Sequence, residues 1–129
     1  MLQMQRNKYL ENSIQTATPA QLLIMLCDGA IRYCRQGIAA IKEKNYQEAN
    51  FNLTKTQDII SEFVITLDKE SFLAENLLKL YEYFNFRLIE ANIQKKAEPA
   101  EEVLGYLLDL KQTWVEAAKA VNNEHAKHG

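Results

Sequence analysis

The sequence predicts an all-α protein: an up-down antiparallel four-helix bundle preceded by an N-terminal arm. Three observations predict it. Four glycines and two prolines in 129 residues leave little turn material for a β fold. Four long segments carry apolar residues at alternating three- and four-residue steps, the spacing that lines one face of a helix. Two segments open on strong helix starts, Thr18-Pro19-Ala20-Gln21 and Pro99 with Glu101 and Glu102 behind it.

Residues 1–17 read as a polar arm whose apolar points are Tyr9, Leu10 and Ile14. Thr18 then caps the first helix, with Pro19 at its first position and Gln21 completing a capping box. That helix is expected over 19–44. Its seam is Leu23, Cys27, Ala30, Cys34, Gly37 and Ile41, with a second stripe of Ile24, Ile31 and Ile38 beside it. Asn45 is expected to take the left-handed conformation that ends the helix.

The second helix is expected over 46–67, with seam Tyr46, Ala49, Leu53, Thr56, Ile60, Phe63 and Leu67. Asp68 to Ser71 offer caps for the third, expected over 70–95 with seam Leu73, Leu77, Leu80, Phe84, Leu88 and Ala91. Pro99 opens the fourth, whose seam is Val103, Leu107, Leu110, Trp114, Ala117 and Val121. The bundle is expected to fill 18–124, leaving 125–129 as a flexible tail. Short connections make successive helices antiparallel. Charge agrees with that order. Counting Lys, Arg, Asp and Glu, residues 18–45 carry +2, 46–68 carry −3, 69–96 carry +1 and 97–129 carry −3.

Composition narrows function. The net charge is −2 and no basic stripe is present, which argues against nucleic acid. No apolar window is long enough to span a membrane, and residues 1–11 lack a signal peptide's apolar core, so a cytoplasmic protein is expected. Cys27 and Cys34 stand seven residues apart on one helix, too far for a disulfide with each other, and read as buried thiols. The two histidines, His125 and His128, lie in the tail with no glutamate three residues before either. A di-metal site of the kind bundles hold is therefore not expected. Ser13, Ser61 and Ser71 have no base nearby in sequence. No enzyme activity, catalytic residue, metal or cofactor is expected.

What remains is surplus apolar surface. Outside its seam the third helix has Leu78, Tyr81, Phe86, Ile89 and Ile93, and the second has Ile59, Val64 and Ile65. One stripe per helix builds a core, so a second stripe needs other cover: the arm, another copy of the chain, or a partner protein. Asn50, Asn52 and Lys55 on the second helix, and Asn76, Tyr81, Tyr83, Arg87 and Asn92 on the third, read either as solvated edge or as interface.

Several stretches resemble the FliS family of flagellar secretion chaperones. They are Tyr9, Thr16-Ala17-Thr18-Pro19, the run from Leu22 to Ile31, the run from Asn50 to Ile60, Asn76-Leu77, Leu80 to Tyr83, Arg87-Leu88, Glu90 to Asn92, and Glu101 to Trp114. Cys27 stands where the family usually has tyrosine. The resemblance implies a cytosolic chaperone that binds the disordered C-terminal segment of flagellin, prevents premature polymerisation, and keeps it competent for flagellar type III secretion through a component of the export gate. The second stripes would then form the binding groove. Its expected apolar contacts are Leu22, Leu23, Leu26, Ile59, Leu77, Leu80, Tyr81 and Leu88. Asn50, Lys55, Asn76, Arg87 and Asn92 would bond the ligand's backbone. Tyr9, Leu10 and Ile14 would cap the groove when it is empty. The alternatives are a structural helical homodimer or a bundle adaptor for another export client. Monomer and homodimer both remain open.

Overall fold

The computed structural model describes residues 18–128, and side chains through residue 121. It contains four helices: α1 (Pro19–Lys42), α2 (Tyr46–Thr66), α3 (Ala74–Gln94) and α4 (Glu98–His128). Each helix packs on two others, α1 and α3 both lying against α2 and α4. That closed square is the expected four-helix bundle. The packing is uneven, closer along α1 than along α3.

α1 starts as its sequence dictates. The Gln21 N–H donates to Thr18 Oγ1 at 3.2 Å, and the Thr18 N–H donates to Gln21 Oε1 at 3.0 Å. Two amides that the first turn would leave orphaned are satisfied reciprocally. The helix ends two residues earlier than expected, and Lys44, not Asn45, takes the left-handed conformation, at φ 60°. Asn45 caps α2 instead, its Oδ1 accepting from the Glu48 N–H at 3.3 Å. An asparagine side chain is worth more as an N-cap, and the one-residue shift puts it there.

The second connection is longer than expected. Asp68 and Ser71 bond locally, to Glu70 N–H and Leu73 N–H, and hold a chain of turns over 67–73. α3 thus begins at Ala74 rather than near 70, without a side-chain cap. It ends at a left-handed Lys95, and the Lys96 N–H returns to the Ala91 carbonyl at 3.1 Å. α4 runs on to His128, past the point where a tail was expected; no glycine or proline interrupts it between Gly105 and His128.

The core holds Cys27, Ala30, Cys34 and Ile41 of α1, Leu53, Ile60 and Phe63 of α2, Tyr81, Phe84 and Leu88 of α3, and Val103 and Leu107 of α4. Each large apolar side chain contributes about 1.5–3 kcal/mol on burial. Ile31 and Ile38 are buried too. The second stripe of α1 is therefore not surplus: a helix with two neighbours buries two stripes. On α3 the seam begins at Ala74 and Tyr81, while Leu73 is exposed. Two buried polar side chains of α2 bond back into their own helix, Asn52 to the Glu48 carbonyl and Thr56 to the Asn52 carbonyl.

Candidate functional site

The expected groove residues fall into three groups. The first lies along the α1–α2 edge. Leu22 and Leu26 are half-buried and share a stripe of α1 with Gly29 and Tyr33. Ile59 of α2 meets that stripe: its Cδ1 lies 3.1 Å from where a β-carbon on Gly29 would be. Lys55 stands one turn before Ile59, with its ammonium 5.5 Å from the ring centre of Phe51. Leu22, Leu26, Lys55 and Ile59 are thus brought to one edge.

The second group sits against or inside the core. Leu23, Leu77 and Leu80 are half-buried and packed on it. Tyr81 and Leu88 are 1% and 0% exposed, which corrects their expected place as surface contacts. Tyr81 stacks on Phe63 at 5.4 Å between ring centres, and burial pushes its hydroxyl pKa up to about 12.

The polar group is already engaged. Asn92 Nδ2 donates to Asn50 Oδ1 at 2.7 Å, bridging α3 and α2. Arg87 donates to Glu90 at 2.6 Å and to Glu102 of α4 at 3.2 Å. Tyr83 also donates to Glu102, and that bond holds the phenol above its ordinary pKa. Asn76 is exposed, with no side-chain bond among the described residues. Among the described residues, Asn50 Nδ2 and Asn92 Oδ1 stay free beside their mutual bond, whereas Arg87 is shared between two carboxylates.

One feature carries more than its sequence position suggested. Phe86, Ile89 and Ile93 are 63%, 46% and 74% exposed, on the face of α3 opposite the core. With Glu90 and Gln94 they line a depression of about 260 Å³. On α2, Phe51 and Ile65 also point outward. The surplus stripes contained Phe86, Ile89, Ile93 and Ile65, but the expected contacts favoured α3 residues that turn inward. The missing signal is the i, i+3, i+7 spacing of Phe86, Ile89 and Ile93, half a helical turn from Phe84, Leu88 and Ala91.

Reactive chemistry is scarce. Among the described residues, no group of three or more His, Cys, Asp or Glu could hold a metal ion. Burial raises both thiols to about 12, and the Cys34 thiol donates to the Ala100 carbonyl at 3.4 Å. Such thiols are poor nucleophiles. No described helix is long and apolar enough to cross a membrane. Tyr9, Leu10 and Ile14, the expected groove cap, lie outside the described residues.

Comparison with known proteins agrees with this architecture. Residues 1–121 match the family described as "Flagellar protein FliS". The chain belongs to the FliS family. It is similar to the flagellar secretion chaperone FliS of Bacillus subtilis (strain 168), at 34% identity over 121 residues, covering 94% of this chain and 90% of the relative. The flagellar secretion chaperone FliS of Escherichia coli (strain K12) is 30% identical over 111 residues, covering 84% and 82%. FliSB of Pseudomonas aeruginosa, also named a flagellar secretion chaperone, is 32% identical over 107 residues, covering 81% and 85%. Family membership accounts for the order of the motifs from Thr16 to Trp114 and for the bundle that carries them.

Proposed function

We propose that the chain is a cytosolic flagellar export chaperone that holds the C-terminal segment of flagellin, keeps it from polymerising early, and presents it to the export gate. One observation carries this reading beyond the family: apolar side chains stand exposed on the outward faces of α2 and α3, with half-buried leucines along the α1–α2 edge. A client segment running from Leu22, Leu26 and Ile59, across Phe51 and Ile65, to Phe86, Ile89 and Ile93 covers them.

The energetics suit a disordered client. Ordering costs such a segment about 1–2 kcal/mol per residue in backbone entropy alone. Burial returns about 25 cal/mol per Å² of apolar surface, so a long wrapping path is needed rather than one small pocket. The free amide groups of Asn50 and Asn92, and the guanidinium of Arg87, give the client's backbone bonding groups.

The deciding experiment is a calorimetric titration with the C-terminal segment of flagellin from the same organism. Micromolar or tighter binding is expected, weakened about tenfold or more by Phe86→Asp with Ile93→Asp. Those positions are exposed, so the variant keeps its fold by circular dichroism. Absence of binding by the parent chain at hundreds of micromolar overturns the proposal. Undiminished binding by the variant removes the α3 face from it.

A further inference from the structure

On its other flank, α1 forms a groove with α4 that the client path leaves empty. The cavity has a volume of about 440 Å³. Ile31 and Leu108 supply its apolar surface, and Asp28, Arg32, Arg35 and Lys111 its charges. The cations outnumber the carboxylate three to one. Lys111 and Asp28 satisfy each other at 2.6 Å. Arg32 and Arg35 are exposed, and neither has a carboxylate within 4.0 Å among the described residues. The Arg32 guanidinium rests 5.1 Å from the ring centre of Tyr33. Arg87, the other described arginine, is held by two glutamates.

We propose that this groove docks a short acidic segment of a second protein, anchored by one apolar side chain, while the client occupies the α1–α2 edge and α3. Arg32 and Arg35 stand three residues apart on one face of α1, and each guanidinium can fork onto a carboxylate. Between them and Lys111, Leu108, exposed beside the buried Ile31, offers the apolar contact for a Leu- or Ile-sized anchor. The chain's own ends have the wrong charge for this seat: residues 1–17 carry +1, and residues 122–129 carry one glutamate against one lysine. Asp28 sets the polarity of the site. It ties up Lys111 and leaves the two arginines as the net attraction.

The test uses a labelled helical peptide of glutamates and leucines, its glutamine-for-glutamate twin, and the full chain. Fluorescence anisotropy is expected to give micromolar binding of the acidic peptide. The twin should bind at least about tenfold more weakly, and Arg32→Glu with Arg35→Glu should lose at least about tenfold. Raising the salt concentration should weaken the complex. Both arginines are exposed, so the variant should keep its melting temperature and its affinity for the flagellin segment. The acidic peptide should also bind the chain already saturated with that segment. Equal binding of the twin, or retained binding by the double variant, overturns the proposal. So does displacement of the peptide by the flagellin segment, which would place both in one site. Two further results overturn it by naming another occupant: arginine-dependent binding to phosphatidylglycerol vesicles with no peptide binding, or an arginine-dependent dimer in light scattering.

Discussion

A β-carbon on Gly37 would lie 2.7 Å from Cδ2 and 2.9 Å from Cγ of Leu53, so α1 and α2 meet at a point where only glycine fits. Leu53 is fully buried and has nowhere to retreat. Gly37→Ala is therefore expected to destabilise the fold by about 1–3 kcal/mol, although alanine is the better helix former. Gly105 is the control. A β-carbon there meets nothing within 4 Å, so Gly105→Ala should stabilise by about 0.5–1 kcal/mol. Urea denaturation reads both signs, and a stable Gly37→Ala would show that the two helices can part.

The thiols predict an alkaline limit. Cys27 and Cys34 are raised from 9.0 to about 12 in the folded chain, and Tyr81 from 10.0 to about 12, mainly by burial. The folded state keeps these protons where the unfolded chain releases them. Their contribution to stability is whole below about pH 9 and is lost as pH climbs toward 12. The urea midpoint should fall across that window, and more gently in Cys34→Ala. A slope unchanged in that variant would mean that its thiol does not titrate with unfolding.

At neutral pH a thiol-specific disulfide reagent should label either cysteine only when the bundle opens. The rate should then follow the unfolding equilibrium in low urea. Labelling as fast as that of a free cysteine peptide would contradict the burial.

Arg87 holds Glu90 and Glu102 around one guanidinium, with side-chain exposures of 19%, 27% and 35%. Arg87→Ala leaves two half-buried carboxylates with no cation between them. A measurable loss of stability is expected, smaller than for a fully buried network because solvent reaches these groups. Arg87→Lys should recover less than half, since one ammonium cannot reach both acids in the same geometry. Full recovery with lysine would reduce the interaction to charge alone.

The bond between Asn50 and Asn92 gives a separate readout of client binding. In the free chain a double-mutant cycle should find a coupling of about 0.5 kcal/mol, the low end for a contacting pair because this one is exposed. With the flagellin segment bound, that coupling should vanish as both amides turn to the client's backbone. A coupling that survives saturation would leave this pair a structural link between α2 and α3.

Much of this was legible in the residues. Thr18 and Gln21 announced α1, and the spacing of Cys27, Ala30, Cys34, Gly37 and Ile41 identified its seam. Periodicity reports that a stripe is apolar, not what covers it, so the burial of Ile31 and Ile38 depends on how the helices pack. At the start of α3 the sequence offers two seams of equal spacing, one through Leu73 and Leu80, the other through Ala74 and Tyr81. Only packing against Phe63 decides between them. The candidate site was legible by residue type more than by role. Asn50, Arg87 and Asn92 stand out by type, but whether a polar side chain answers its own chain or a ligand depends on neighbours distant in sequence.

The pairing of α1 with α4 has a practical consequence. Lys42 meets Glu101 and Asp28 meets Lys111, which puts α4 level with the start of α1 near residue 120. The last turns of α4, through His128, therefore project about 12 Å past that end. A dye or surface tether on the last turns of α4 stands clear of every proposed contact. One attached ahead of Thr18 enters beside Leu22 and Leu26. Single-molecule and pull-down designs should use the far end of α4 as the handle.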